Sequence, residues 1–235
     1  MPVASRVHVR ALTDFDDLDA CVEVQRRIWG DAAEVDGRAL LVVASRFAGQ
    51  LLAAFDGERM VGMALAFHMA TPARMHSHRV GVIEEYRAQG IGRSLKLAQR
   101  TAALAGGVRT IEWTFDPLQA GNAAFNLTAL GAIARTYLPN LYGITSSPLH
   151  AGLPTDRLLV EWELDSARVA RALSGARQEP GPASIRIALP PPERRTQADG
   201  QKELREQLRP RLAEGMAIIG LVSEAGKDFY ILEGA

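Results

Sequence analysis

The chain has 235 residues, a formal net charge of zero at pH 7 and a single cysteine, Cys21. This balance excludes the strong basic field that draws proteins to nucleic acids or anionic membranes, and a lone cysteine excludes an internal disulfide framework and fits a reducing compartment. Because no apolar stretch is long enough to cross a bilayer and the N-terminal residues lack the apolar region of a signal peptide, we expect a cytoplasmic protein with one sizeable core.

Hydrophobic periodicity and turn signals predict a mixed series of strands and helices over residues 7–105. Thr13-Asp14 begins the first helix as an N-cap and Gly30 ends it, while Asp56-Gly57 is a strong hairpin signal. In chain order the predicted elements are a strand at 7–12, helices at 14–29 and 37–44, strands at 50–56, 59–68 and 76–83, and a helix at 91–105.

The same signals continue to residue 164 and then change in character. They predict a strand at 109–115, a helix at 119–130, and strands at 132–137 and 158–164. Residues 166–192 are first charged and then proline-rich around a short strand-like run at 184–189, and this composition indicates a linker. A helix at 199–214 and a hairpin at 216–232 follow. We therefore expect a core domain at 1–165, a linker at 166–192 and a small α+β appendage at 193–235 that serves stability or dimerisation.

The segment between the fourth strand and the next helix carries the clearest chemical signal. It reads Arg87-Ala88-Gln89-Gly90-Ile91-Gly92-Arg93. The glycines allow a tight turn and a close approach of ligand to backbone, the helix N-terminus offers unpaired N–H groups, and the arginines add charge-assisted hydrogen bonds. The pattern predicts a pyrophosphate site. It lacks the third glycine of a dinucleotide fingerprint and the Gly-Lys-Ser/Thr of a P-loop.

This segment resembles the acyl-CoA-binding motif of the GNAT superfamily of N-acetyltransferases, (Q/R)-x-x-G-x-(G/A), with Arg87, Gly90 and Gly92 in its fixed positions. The order of elements over about residues 6–165 also resembles the GNAT fold. The resemblance implies an α/β (α+β) protein whose mixed, mostly antiparallel sheet splays between strands four and five, where the pantetheine arm of CoA would pair with the backbone. Residues 113–118 and 152–157 look like those of a bacterial subgroup of predicted acetyltransferases with unassigned substrate.

The same resemblance implies acetyl-CoA as the co-substrate, without a metal. The residues it implies for CoA binding are Val80 and Val82 on strand four, the run Arg87, Ala88, Gln89, Gly90, Ile91, Gly92 and Arg93, and Asn122 in the helix after strand five. Asn126 lies one turn from Asn122 and is an alternative, and helix capping would also explain Asn122. A metal site built from His68, His76 and His78 is disfavoured because no carboxylate or cysteine clusters with them in sequence.

Two histidines on strand four are the candidate bases. Acyl transfer to an amine needs a base, since only the neutral amine attacks the thioester. His76 and His78 alternate along the strand, so we expect both side chains on one face, and histidine titrates near neutrality. Their spacing before Val82 resembles that of GNAT members in which two histidines relay the proton. The alternative is that one or both are buried structural residues.

The acid that protonates the departing thiolate is harder to assign. Many GNAT enzymes carry a tyrosine four residues before the glycine that closes the helix after strand five, and here that position is Leu127. Tyr137 and Tyr142 lie downstream, and Tyr142 is the candidate because it precedes Gly143 in a loop that could face the cleft. A tyrosine whose hydroxyl has a structural partner is the alternative for either.

Three charged residues are candidates for contact with the acceptor. Asp116 follows strand five, where its carboxylate could face a cationic amine or cap the next helix. Asp156 and Arg157 precede the last core strand and could form a substrate clamp or an internal ion pair. We therefore expect an acyl-CoA-dependent N-acyltransferase that acts on an amine of a small molecule. The alternatives are a GNAT-shaped module that binds acyl-CoA without efficient turnover, and a protein N-acetyltransferase; a homodimer is also open.

Overall fold

The computed structural model describes residues 6–30, 35–144, 152–176 and 179–234. Judged by its internal contacts, the chain forms two compact units, residues 1–111 and residues 112–235. Among the described residues, no helix is both long and apolar enough to span a membrane. Residues 1–5, on which the expectation about a signal peptide depends, lie outside the described part of the chain.

The first unit is built on an antiparallel sheet of four consecutive strands, paired in the order β1-β2-β3-β4. Its elements are β1 (Val7–Ala11), α1 (Phe15–Trp29), α2 (Arg38–Val43) with a π-helical turn at Ala44–Ala48, β2 (Gly49–Asp56), β3 (Arg59–His68), β4 (Arg74–Val82), a 3-10 turn at Glu84–Tyr86 and α3 (Ile91–Ala105). Each element predicted for residues 7–105 is present, with bounds that differ by no more than two residues. The predicted β2–β3 hairpin is confirmed, and Gly57 has a φ of 62° in its turn.

The helices α1 and α3 cover opposite faces of this sheet. A Cβ at Gly81 of β4 would come within 2.8 Å of the Trp29 ring of α1, whereas one at Gly62 of β3 would lie 3.3 Å from Leu95 of α3. Gly62 pairs with Val82, the neighbour of Gly81, and adjacent residues of a strand point to opposite faces. The apolar residues of the sheet and both helices form one buried core, which removes enough apolar surface from water to hold the unit together.

A β-bulge interrupts β4 at His78. On the neighbouring β3, Leu65 pairs with Arg79 and Ala66 pairs with Ser77, so His78 has no partner opposite it. A bulge bends the strand and breaks the strict alternation of side chains. The simple alternation expected for this strand therefore stops at His78.

The next strand, β5 (Thr110–Phe115), begins beside the start of β4. The N–H groups of Arg109 and Thr110 donate to the carbonyl of Ala73 at 2.8 and 3.3 Å. Both strands start at this point, so β5 sets out parallel to β4 in an otherwise mostly antiparallel arrangement. The mixed α/β class expected from the sequence is confirmed.

The second unit contains the end of β5 and a series of strands paired in the order β5-β7-β6-β9-β10-β8. Its other elements are α4 (Ala120–Ala123) with a π-helical turn at Ala124–Ala129, β6 (Ile133–Leu138), β7 (Arg157–Glu163), α5 (Ala167–Leu173), β8 (Ile185–Ala188), a 3-10 turn at Pro192–Arg194, α6 (Ala198–Ala213), β9 (Met216–Glu224) and β10 (Lys227–Gly234). The segment expected to be a linker, 166–192, thus includes α5 and β8. Residues 177–178 of that segment lie outside the described part of the chain.

Strands from both ends of the second unit are joined directly. Ala134 of β6 pairs with Ile218 of β9, and the buried Tyr230 hydroxyl of β10 donates to the carbonyl of Pro117 at 2.6 Å. Arg168 of α5 donates to the carbonyls of Leu127, Gly131 and Ile219. It thereby satisfies carbonyl groups that the end of the α4 helical segment leaves unpaired.

Candidate active site

The loop from β4 to α3 adopts the conformation that the glycine motif predicts. Ala88 and Gly90 have φ values of 58° and 84°, and α3 begins directly afterwards at Ile91. Among the described residues, no side chain caps this helix N-terminus. The first-turn N–H groups of α3 therefore remain available, and together with the helix dipole they favour an anion.

Gly92 is not required by the protein's own packing. Its φ is not in the left-handed region, and a Cβ added there would meet no atom of the described residues within 4 Å. Glycine in the first turn of a helix costs about 0.5–1 kcal/mol relative to alanine. A glycine that neither backbone strain nor packing demands, beside open space at a helix N-terminus, fits a site where a ligand approaches the backbone closely. The residues present therefore fit the pyrophosphate of CoA.

The polar side chains of the loop support its shape and add positive charge. Arg87 is exposed and its Nε donates to the carbonyl of Val82 at 3.2 Å, and Gln89 donates to the carbonyl of Glu85 at 2.8 Å. These bonds hold the chain on either side of the turn. The side chains of Val80 and Val82 pack against the apolar core of the first unit, so a role in CoA binding would rest on their backbone groups.

His78 faces a carboxylate that the sequence did not point to. Its Nε2 lies 3.6 Å from Oδ1 of Asp36, which is in the segment just before α2, and its ring meets Phe67 edge-on at 5.9 Å. Arg79, the next residue, places Nε 2.8 Å from Oδ2 of the same aspartate. The bulge at His78 lets two consecutive residues reach one carboxylate, which a regular strand does not allow.

Asp36 is held in place by its backbone. The fully buried side chain of Gln25 in α1 accepts from the Asp36 N–H at 2.9 Å and donates to the Asp36 carbonyl at 3.1 Å. Burial by itself raises the pKa of the Asp36 carboxyl, but the interactions with His78 and Arg79 outweigh it and the pKa is lowered. Asp36 is therefore ionised throughout the range in which a histidine titrates.

His76 lies two residues earlier on β4 and pairs with Phe67 of β3. Its side chain is half-buried, whereas that of His78 is 38% exposed. Within the described residues, no three histidine, cysteine, aspartate or glutamate side chains are grouped so that they could hold a metal ion.

In the second unit, Tyr142 is exposed on the segment after β6. Its hydroxyl lies 3.4 Å from the hydroxyl of Thr114 on β5, and its N–H donates to Thr155 Oγ1 at 2.7 Å. The guanidinium of Arg157 lies 5.5 Å from the centre of the Tyr142 ring. The structure thus brings together Tyr142 and Arg157, two of the residues chosen from sequence.

Asp156 adopts the second of the two arrangements considered for it, an internal ion pair. It is fully buried, and Arg205 of α6 donates to both of its carboxylate oxygens, at 2.7 and 2.9 Å. The Tyr137 hydroxyl and the Asn140 N–H donate to the same carboxylate at 2.6 and 3.0 Å. With four donors around it, this carboxylate is committed to the interior of the second unit.

The remaining two candidates also have local partners. Asp116 accepts from the Leu118 N–H at 2.9 Å, which stabilises the turn between β5 and α4. Asn122 is exposed and accepts from Asn126 of the next turn at 3.3 Å. Asn126 is buried, so Asn122 is the one of the two that a ligand could reach.

Comparison with known proteins agrees with this fold and site. Residues 17–131 match the sequence model of the acetyltransferase (GNAT) family. No curated protein matches the chain in sequence. Among solved structures, the chain is similar to the ribosomal-protein-S18-alanine N-acetyltransferase from Escherichia coli, with 17% identity over 68% of this chain and 96% of that chain and a TM-score of 0.56.

It is also similar to yncA from Salmonella typhimurium, described as an acetyltransferase and solved with its cofactor acetyl-CoA. The identity is 18% over 68% of this chain and 95% of that chain, and the TM-score is 0.55. At such identities the two structures bear on the fold alone, and the match of residues 17–131 carries the family. Residues 17–131 of this chain therefore form a domain that matches the acetyltransferase (GNAT) family.

Proposed function

We propose that this protein transfers an acetyl group from acetyl-CoA to the amine of a small molecule. The observation that carries the proposal is the N-terminus of α3, where Gly92 faces open space and no described side chain caps the helix. The backbone of residues 87–93 would hold the pyrophosphate, with Arg87 and Arg93 adding charge-assisted hydrogen bonds. The acetyltransferase family of this domain supports the same reading.

His78 is the proposed general base, with His76 as the second member of a relay. The acceptor enters as an ammonium, and the histidine takes its proton directly or through water so that the nitrogen can attack the thioester carbonyl. The new bond is carbon to nitrogen and the bond that breaks is carbon to sulfur. We assign the proton that the thiolate then takes up to Tyr142, whose exposed hydroxyl lies 3.4 Å from that of Thr114.

Direct attack is favoured over transfer through an acetylated cysteine. The only cysteine, Cys21, is fully buried in α1, and burial, followed by the charges of Asp36 and Asp17, raises the pKa of its thiol to about 12. At neutral pH it is not a thiolate and so is not a nucleophile. A buried free thiol also supports a reducing, cytoplasmic setting.

A small amine is favoured over a protein acceptor because the sequence has no concentrated run of charge that would guide a peptide. The test is thiol release from acetyl-CoA across a panel of small amines, amino acids and peptides. We expect release with at least one small amine, and loss of that release in His78→Ala while CoA still binds. Tight CoA binding without thiol release from any acceptor would instead favour an acyl-CoA-binding module.

A further inference from the structure

The carboxylate of Asp36 lies next to His78, and contacts that do not involve the histidine fix the position of Asp36. The two hydrogen bonds from Gln25 to Asp36 use only the Asp36 main chain. They therefore place the side chain without engaging it. The Asp36 side chain is 11% exposed and that of His78 is 38% exposed, so the carboxylate lies on the protein side of the ring and the ring lies towards solvent.

The contact also selects between the two ring nitrogens. Nε2 faces the carboxylate, which leaves Nδ1 to accept a proton from the acceptor amine. A carboxylate next to one nitrogen favours a proton on that nitrogen and stabilises the imidazolium that forms after proton transfer. At 3.6 Å the pair is longer than a hydrogen bond but within the distance of an ion pair once the ring is charged.

Other groups around His78 modulate this effect. Arg79 binds the other oxygen of the carboxylate at 2.8 Å and lies 5.0 Å from the Trp29 ring, so it offsets part of the Asp36 charge. β3 presents the uncharged ring of Phe67. α1 contributes Gln25, which bonds the Asp36 main chain, and Trp29, which lies against Arg79. β4 itself carries His76 two residues away. Asp36 is the anion and Arg79 the cation described next to this ring.

We propose that Asp36 is a positioning residue for His78, holding its ring with Nδ1 towards the acceptor and stabilising the protonated form. This inference rests on the proposed function, in which His78 is the base. It assigns to the segment before α2 a role in catalysis through its contact with the bulge of β4. Asp36→Asn removes the charge and leaves the main-chain bonds to Gln25 intact.

The first test is an NMR pH titration of His78 in the full-length protein, assigned with His78→Gln among the five histidines of the chain. We expect its midpoint to be lower in Asp36→Asn than in the parent protein, because an adjacent carboxylate stabilises the imidazolium. Asp19→Asn is the matched control, since Asp19 forms an exposed ion pair with Arg38 at 3.0 Å, and it should leave the midpoint unchanged. In Asp36→Asn, the Arg79 guanidinium also loses its partner and could itself change the His78 midpoint. Asp36→Asn/Arg79→Gln removes both charges, so a comparison of the two variants isolates the effect of the carboxylate.

The second test is kcat/KM for thiol release with the best amine of the panel. Asp36→Asn should lower it about 10- to 100-fold near neutrality and move the ascending limb of its pH profile in step with the NMR midpoint. CoA affinity by calorimetry should be unchanged. An unchanged His78 midpoint in folded Asp36→Asn would overturn the inference. A shifted midpoint with an unchanged rate would confirm that Asp36 controls the ring and reject His78 as the base, which is a failure of the proposed function.

Discussion

The side-chain nitrogen Nζ of Lys96 in α3 donates to the hydroxyl of Ser77 on β4 at 2.8 Å, inside the first unit. Lys96 and Ser77 are 2% and 5% exposed, and Lys96 also donates to Gln99 at 3.2 Å. Burial lowers the pKa of Lys96 well below its usual range, because the interior disfavours the charged form. The folded protein therefore binds this proton more weakly than the unfolded chain does.

Lys96→Met should stabilise the protein at neutral pH. A depressed pKa in the folded state means that stability rises with pH until the unfolded lysine also loses its proton near its usual pKa of 10.5. The methionine variant lacks this penalty, so we expect its free energy of unfolding at pH 7 to exceed that of the parent protein. Urea unfolding at pH 7 and pH 10 measures it, and the gain should shrink at the higher pH. Equal gains at both values would contradict the expectation.

A bulky residue at Gly92 should abolish CoA binding without unfolding the protein. No described atom lies within 4 Å of a Cβ at this position, so the side chain of Gly92→Trp would start into the open space that we assign to the pyrophosphate. Gly92→Ala should raise the stability of the helix by about 0.5–1 kcal/mol and should lower the affinity for CoA. Calorimetry with CoA and a thermal melt of each variant provide the measurements.

Gly106→Ala is the control for this pair because it lies at the other end of α3. A Cβ there would make only ordinary 3.5 Å contacts with carbonyl groups, so CoA affinity should not change. Full CoA affinity in Gly92→Trp would show that residues 87–93 do not form part of the CoA-binding site.

Removing the histidines of β4 should affect the rate and spare CoA binding. His78→Ala should depress kcat/KM about 10²–10⁴-fold on an ascending limb near neutrality, the usual contribution of a positioned base. The effect should shrink at high pH, where the amine loses its proton unaided. His76→Ala/His78→Ala should be little worse than the more damaging single variant, since members of one relay are strongly non-additive. Full activity with an unshifted pH profile in the double variant would reject the relay and leave Tyr142 and the non-catalytic alternative to be tested.

Arg205→Met should destabilise the second unit by about 3–5 kcal/mol, the usual cost of leaving a buried charge without its partner. Asp156 is fully buried and receives two of its four hydrogen bonds from Arg205. Asp156→Asn/Arg205→Met should recover part of the loss, because a neutral amide does not need a cation. Urea unfolding of the parent protein and of both variants measures these differences.

The comparison is Arg194→Met, which breaks the exposed Arg194–Glu203 pair at 2.8 Å in the same unit. Surface pairs contribute about 0–1 kcal/mol, so this variant should be nearly neutral. Similar losses in Arg194→Met and Arg205→Met would show that burial of Asp156 does not set the cost.

Features encoded by neighbouring residues were predictable. The β2–β3 hairpin follows from Asp56-Gly57, and α3 follows from its apolar periodicity after Gly92. Residues 87–93 could be assigned to a pyrophosphate site from sequence because the glycines, the arginines and the helix N-terminus follow one another directly in the chain. Its role in CoA binding and the catalytic roles of His76, His78 and Tyr142 stay predictions.

Features that join distant residues were not predictable. Asp36 and His78 are 42 positions apart, and the sequence predicts only a loop around Asp36, before a short helix. The bulge that aims His78 and Arg79 at one carboxylate depends on pairing with β3 and leaves no mark in β4 itself. Similarly, the sequence around Asp156 does not indicate that its partner is Arg205 in α6. A single sequence offers no local pattern for such pairs.

The Asp156–Arg205 pair also bears on the order in which the protein can mature during its synthesis. Asp156 leaves the ribosome 49 positions ahead of the guanidinium that neutralises it. Until α6 has been made, closing the interior around β6 and β7 would bury a carboxylate without its cation, which is strongly unfavourable. We therefore expect the interior around β6 and β7 to close only after α6 has been translated.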